Sequence, residues 1–178
     1  MRPMLARAVD SMIMEHAFDD LLASNRDFAA SFDLQGFDGV AKSGVAMVTC
    51  MDSRIDPLGM IGLVPGDAKI LRNPGGRATE RTLVALVLGV NLLGVDRVLL
   101  VQHTRCAMAS KSERELLVDI SHAAGTDASW LDLGAIEHQR LSIIEDVHRV
   151  RSHPLIGDRA RVGGFLYDVD SGLLEQVA

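Results

Sequence analysis

The sequence predicts an α/β fold in which a mainly parallel sheet of four or five strands is flanked by helices. Two apolar runs, residues 45–49 and residues 98–101 within a strand expected at 95–101, lack the alternation of a half-exposed strand, so each reads as a strand buried on both faces. Between them, residues 82–93 repeat apolar side chains at three- and four-residue steps, the period of a helix. Composition agrees: 48% of residues are hydrophobic and only 4% aromatic, which leaves the core to Val, Leu, Ile, Ala and Met.

The elements follow in order. Over residues 10–31 the apolar positions Met12, Ile13, Ala17, Leu21, Leu22, Phe28 and Ala29 keep helical spacing, with a break expected near Ser24-Asn25. Residues 32–43 carry glycines among polar side chains and read as a loop. After the strand at 45–49, Pro57 and Gly59 permit only a short helix. Val64-Pro65-Gly66-Asp67 has proline and glycine where a type II turn wants them, and residues 68–72 follow as a second strand. The helix at 82–93 is apolar nearly all round, which predicts burial on every side, and Gly94 is a plausible stop. Beyond the strand at 95–101, residues 107–122 predict a helix closed by Gly125. Residues 127–133 predict a short helix around Trp130, and 136–151 a longer one with Leu141, Ile144, Val147 and Val150 on one apolar face. Residues 162–169 read as a last strand, Asp170-Ser171-Gly172 as a hairpin-type turn, and the end of the chain as a short extended tail.

At 178 residues the chain fits one domain, burying roughly 70% of its unfolded surface. Residues 1–43 are expected to form an amino-terminal helical arm and 44–178 the α/β core. With 18 basic against 24 acidic residues, a formal net charge of −6 and no basic stripe, nucleic acid and anionic membranes are poor partners. The first twenty residues mix charges into the apolar positions and resemble neither a signal peptide nor a spanning helix, so the cytoplasm is the expected location. Two cysteines without an export signal suggest metal ligands, reactive thiols or core residues rather than a disulfide framework.

Both cysteines fall where strands end. The first strand runs into Cys50-Met51-Asp52-Ser53-Arg54, and the strand at 95–101 into Gln102-His103-Thr104-Arg105-Cys106. Open α/β sheets bind their ligands at such carboxyl ends, and neighbouring strands lie only ~5 Å apart, so Cys50, Asp52, His103 and Cys106 could converge on one ion. Two thiolates and an imidazole favour zinc, and three protein ligands leave a fourth, exchangeable position. Cys50 alone would read as a buried core thiol; its joint occurrence with His103-x-x-Cys106 favours the metal. Asp52 and Arg54 could be a strand-end ion pair that ties down a loop, and the adjacent cysteine argues for more. His16, His122, His138, His148 and His153 read as surface or packing residues.

Cys50-x-Asp52-x-Arg54 followed by His103-x-x-Cys106 resembles the zinc signature of the β-class carbonic anhydrases, in their short-chain bacterial-type branch. The likeness covers most of the chain, including Gly66-Asp67-Ala68, Arg72-Asn73-Pro74-Gly75-Gly76, Ser152-His153-Pro154 and Gly164-Phe165-Leu166-Tyr167-Asp168. It implies that Cys50, His103 and Cys106 bind Zn²⁺ and that Asp52 and Arg54 form a catalytic dyad, Asp52 becoming a fourth ligand only in a closed state. The implied reaction is reversible hydration of CO₂ to bicarbonate and a proton, through attack of hydroxide held by the zinc. By the same resemblance the backbone amide of Ala107 would contact substrate, the Gly75-Gly76 loop would run beside the metal, and the chain would be a homodimer or higher homo-oligomer with its amino-terminal helices across a partner. The alternatives are a CS₂ or COS hydrolase on the same scaffold and a catalytically silent zinc or bicarbonate-binding protein. This sequence departs from the family pattern at Arg105 and Ala107, where many relatives have an acidic residue and a glycine, and at Lys69, where some have an aromatic. Gln35 lies near a glutamine that some relatives use but at a different spacing.

Overall fold

The computed structural model describes residues 16–178, so the start of the expected amino-terminal helix, residues 10–15, lies outside them. The chain divides into two compact units, Met1–Phe37 and Asp38–Ala178. In the first, helix α1 spans Asp19–Ala30 without the break expected at Ser24-Asn25. Ser24 Oγ donates to the Asp20 carbonyl one turn back at 3.1 Å, so its hydroxyl is satisfied inside the helix and does not interrupt it. Leu21, Leu22 and Phe28 all stand exposed on this helix.

The second unit is built on five strands: β1 (Val45–Cys50), β2 (Ala68–Asn73), β3 (Arg97–His103), β4 (Arg161–Tyr167) and β5 (Leu174–Gln176). Their order is β2-β1-β3-β4-β5; all neighbours are parallel except β4 and β5. This is the expected mainly parallel sheet, and the extended tail is its antiparallel edge. β1 pairs with β3 with Thr49 opposite Val101, which brings the carboxyl ends of the two strands side by side. Every residue of β1 is buried, as a run without alternation requires. The Val64–Asp67 segment is the type II turn foreseen: Asp67 N–H donates to the Val64 carbonyl at 3.1 Å and Gly66 sits at φ 98°.

Helices α2 (Glu80–Leu92) and α4 (Gln139–Arg151) pack on one face of the sheet. Leu83 and Leu86 of α2 and Ile143, Val147 and Val150 of α4 form one core with Ala46, Val48, Val98, Leu100 and Val162. A Cβ at Gly164 would come within 2.4 Å of Ile143 and 2.7 Å of Val147, so the bare glycine is what lets α4 lie this close to β4. The polar cap of α2 is Thr79, whose hydroxyl accepts the Thr82 N–H.

Four expectations need correction. α2 is not buried all round: Val84, Leu88 and Leu92 form a solvent-facing apolar stripe in the single chain. Helix α3 spans Glu113–Ala124 and does not start at 107, because Ser112 and Glu115 make a capping box; residues 107–109 form a separate 3-10 turn. Residues 127–133 are not helical, since the Asp127 carboxylate accepts both the backbone N–H and the hydroxyl of Ser129 and closes a turn, leaving Trp130 exposed. In α4 the buried face is rotated: Leu141 and Ile144 point outward, while Ser142, Ile143 and Asp146 point in. Among the described residues no helix is long and apolar enough to cross a membrane.

Candidate metal centre

Cys50 is the last residue of β1, His103 the last of β3, and Cys106 the cap of the 3-10 turn that follows. All three are buried, with His103 fully enclosed. Their ligand atoms lie within 4.8 Å of one another. The sulfurs of Cys50 and Cys106 are 3.8 Å apart, within hydrogen-bond reach of each other and not joined by a disulfide.

Two observations show that this donor set fits a zinc ion. A tetrahedral ion with Zn–S bonds of ~2.3 Å holds two sulfurs about 3.8 Å apart, the separation found here. The imidazole is oriented for the task. His103 Nδ1 is 2.9 Å from the Thr104 carbonyl, and a carbonyl only accepts, so Nδ1 carries the hydrogen and Nε2 the lone pair. That Nε2 is buried and has no hydrogen-bond partner, a costly state for a polar atom unless it coordinates something. Burial also pulls the His103 pKa down, favouring the neutral ring that a metal needs. Burial pushes the Cys106 thiol up, with neighbouring Cys50 adding to it; a divalent cation held by these residues would reverse that penalty.

Asp52 and Arg54 stand beside this cluster as a closed pair. Arg54 Nε donates to Oδ1 at 2.9 Å and Nη2 to Oδ2 at 2.7 Å, while the Arg54 backbone N–H adds a third bond to Oδ1 at 3.0 Å. The side-chain bonds and then the backbone bond hold the Asp52 carboxyl well below the usual carboxylate range. Asp52 Oδ2 lies 3.8 Å from His103 Nε2, too far for a hydrogen bond, and the neutral ring makes no ion pair with it. Arg54 Nη2 also reaches the Arg105 carbonyl at 3.3 Å, which ties the dyad to the loop carrying Cys106. Arg105 adopts φ 52°, the only non-glycine residue with positive φ among those described.

The Gly75-Gly76 turn packs against the cluster. A Cβ on Gly76 would sit 2.7 Å from the Val101 carbonyl and 3.0 Å from Cys50 N, so the turn passes directly over the strand ends. Gly75 N–H in turn donates to Cys50 Sγ at 3.3 Å. Ala107 heads the 3-10 turn, where its N–H is outside the turn's own hydrogen bonds and its side chain is exposed.

The structure therefore brings together Cys50, His103, Cys106, Asp52, Arg54 and Gly75-Gly76. It also shows supports absent from the sequence reading. Gln139 Nε2 donates to the His103 carbonyl at 2.7 Å. Asp146, buried on α4, accepts Arg77 Nε–H at 2.7 Å and Ala78 N–H at 3.2 Å, fixing the exit of the glycine turn. Nothing in the sequence singled out Asp146, which follows Glu145 and lies off the apolar positions 141, 144, 147 and 150.

Residues 45–174 match the family model described as carbonic anhydrase. Beta-carbonic anhydrase 1 of Mycobacterium tuberculosis is 30% identical over 166 residues, covering 89% of this chain and 96% of that protein. The crystal structure of a carbonic anhydrase from Streptococcus mutans superposes with a TM-score of 0.82 at 31% identity, over 90% of this chain and 97% of that one. A carbon disulfide hydrolase of Acidithiobacillus thiooxidans is 26% identical over 161 residues, 76% of this chain and 73% of that protein. With the family model spanning the sheet from β1 to the start of β5 and the two carbonic anhydrases matched over nearly their whole length, the chain belongs to the beta-carbonic anhydrase family of zinc enzymes.

Proposed function

We propose that this chain catalyses the zinc-dependent, reversible hydration of CO₂ to bicarbonate and a proton. The observation that carries the reading is the orphaned His103 Nε2, facing two thiols at zinc-ligand spacing with a clamped carboxylate 3.8 Å away. Cys50, His103 and Cys106 are the ligands in this reading. Zinc, when bound, supplies the Lewis acidity that makes water a nucleophile near neutral pH, as in the three-histidine carbonic anhydrases.

The chain's own groups do the rest. Asp52, ionised and pinned by Arg54, offers an oxygen that accepts a hydrogen bond from the attacking nucleophile and so turns the nucleophile's lone pair toward substrate. In the structure both Asp52 oxygens are engaged by Arg54, so acting as a closed-state ligand would require Asp52 to give up these bonds. The Ala107 N–H donates to a substrate oxygen. Gly75 and Gly76 allow the close backbone approach, and the Gly75 N–H stabilises charge on the Cys50 sulfur.

Stopped-flow measurement of CO₂ hydration, with zinc content determined on the same sample, tests this. Turnover that rises between about pH 7 and 9 is expected, because water on zinc ionises near 7 or above. Zinc without CO₂ turnover would reject the reading. Hydrolysis of CS₂ alone would then assign the chain the activity named for its Acidithiobacillus relative, and no turnover of either would leave a silent zinc or bicarbonate-binding protein.

The same reading carries a cytoplasmic homodimer whose single domain comprises an arm at 1–43 and a core at 44–178. The exposed Leu21, Leu22 and Phe28 of α1 and the Val84, Leu88 and Leu92 stripe of α2 support the dimer. Light scattering at twice the chain mass is the expected result.

A further inference from the structure

Arg72, the penultimate residue of β2, reaches across to the neighbouring strand end. Its Nε donates to the Cys50 carbonyl at 2.9 Å, its Nη2 to the Asp52 carbonyl at 2.5 Å and its Nη1 to the Ile55 carbonyl at 3.4 Å. One guanidinium thus spans the backbone from the cysteine at the end of β1, through the dyad aspartate, to the first buried residue beyond. Apart from this clip, the segment's backbone is held by the Met51 N–H to the Asn73 carbonyl at 3.2 Å, and within itself by the Ile55 N–H to the Asp52 carbonyl at 3.2 Å and the Arg54 N–H to Asp52 Oδ1 at 3.0 Å. The planar fork of arginine suits this work, since it presents several donors in fixed directions, whereas a lysine ammonium acts as a compact point charge.

The consequence falls unevenly on the two groups it touches. Cys50 ends β1, paired with Asn73 of β2 and directly after the Thr49–Val101 pair with β3, so the sheet fixes it whether or not Arg72 is present. Asp52 lies beyond the last strand pair, in an irregular segment. The Arg54 pair sets its side-chain direction, but Arg54 belongs to the same segment, and its one bond outside it runs from Nη2 to the Arg105 carbonyl at 3.3 Å, on a loop rather than a strand. Arg72 is the link that joins this segment's carbonyls to a rigid strand. We propose that Arg72 is a positioning residue for the Asp52-Arg54 dyad, acting on the dyad's backbone rather than on the metal ligands or the substrate. This rests on the functional reading above.

The test compares wild type with Arg72→Ala and Arg72→Lys for zinc content, hydrogen exchange of the peptide spanning residues 50–58, and steady-state CO₂ hydration, with and without millimolar guanidinium. In Arg72→Ala the zinc content is expected to stay at the wild-type level and exchange across 51–55 to rise, in metal-free and loaded protein alike. Loss of sub-ångström positioning lowers kcat roughly 10- to 100-fold with KM little changed, and added guanidinium restores part of it. Arg72→Lys, keeping one donor centre, falls between. Wild-type kcat in both variants, unchanged exchange, or a loss of activity that tracks loss of zinc and ignores guanidinium overturns the proposal. If Arg72→Ala does not fold, Arg72→Lys decides: lowered kcat with full zinc supports the role, and wild-type kcat rejects it. A wild-type protein without CO₂ turnover would sink the functional reading instead, while the exchange measurement still reports whether Arg72 holds the segment.

Discussion

Asp146 of α4 and Arg77 after the glycine turn form a two-bond ion pair at 2.7 and 3.3 Å, with 5% of the aspartate side chain and 24% of the arginine side chain exposed. Asp146 also takes the Ala78 N–H, and Arg77 meets the Asn73 side chain through its own backbone N–H and carbonyl. A helix remote in sequence thereby holds the turn that lies over Cys50. Asp146→Ala would strand a largely buried guanidinium and an amide. It is expected to cost about 3 kcal/mol, the low end for such pairs because Arg77 keeps some access to water. Urea unfolding measures it, and a change below half that value would contradict the argument.

Gly76 has no room for a side chain. Alanine there adds a left-handed backbone penalty of ~1–2 kcal/mol and meets the Val101 carbonyl and Cys50 N, both fixed in the sheet. Gly76→Ala is expected to yield poorly folded protein or one whose melting temperature drops steeply. Glycines at open positions, such as Gly36, should accept alanine with only the backbone penalty, which makes them the control.

The ligand and dyad assignments separate by metal content. Cys50→Ser should lose zinc and stability together, because a site joining two strands contributes its binding energy to folding. Asp52→Ala should keep zinc and lose roughly 100-fold or more in CO₂ hydration, the scale of a removed proton-handling group. Elemental analysis beside stopped-flow kinetics checks both. Full activity in Asp52→Ala would remove the dyad from the mechanism.

Zinc uptake should release protons. Burial raises the Cys106 thiol, so in the metal-free protein that sulfur holds its proton through neutral pH, and an arriving cation must displace it. Apparent zinc affinity is therefore expected to rise with pH between about 6 and 8. Competition against a chelator reads the slope; a flat profile would mean that the thiols are already ionised.

The Asp52-Arg54 pair predicts the opposite edge of the pH range. The Asp52 pKa is lowered on folding, so its stabilising contribution is fully present above the unfolded value near 3.9 and is lost as pH falls below it. Metal-free wild type should be more stable than Asp52→Asn at pH 7. The gap should shrink progressively below about pH 4 in thermal melts.

The strands and the donor cluster were legible because each rests on local chemistry. Residues 45–49 could only be a doubly buried strand, and Cys50, His103 and Cys106 sit at fixed offsets from strand ends. The rotation of α4 was not legible: periodicity alone favoured Leu141 and Ile144 inside, but Asp146 turns inward to meet Arg77, and Gly164 opens its groove for Ile143 and Val147. Those partners are remote in sequence. The start of α3 is legible in the sequence, since Ser112-Glu113-Arg114-Glu115 spells a capping box six residues after Cys106. The sequence places Arg72 at the end of the second strand and the head of a loop motif but does not show its clip, because its carbonyl acceptors carry no residue-type signal.

The placement of the donors on β1 and β3 also bears on how the chain reaches its fold. These strands are neighbours in the sheet, yet β2 and α2 lie between them in the sequence. A nascent chain that has paired β1 with β2 alone offers a solitary thiol at an unfinished edge. An ion requiring Cys50 together with His103 and Cys106 finds no complete set until the parallel crossover closes, a non-local and slow step. Zinc cannot then hasten the search for the fold; it acts as a lock on the completed sheet, lengthening its lifetime by slowing unfolding while leaving the rate of its formation unchanged.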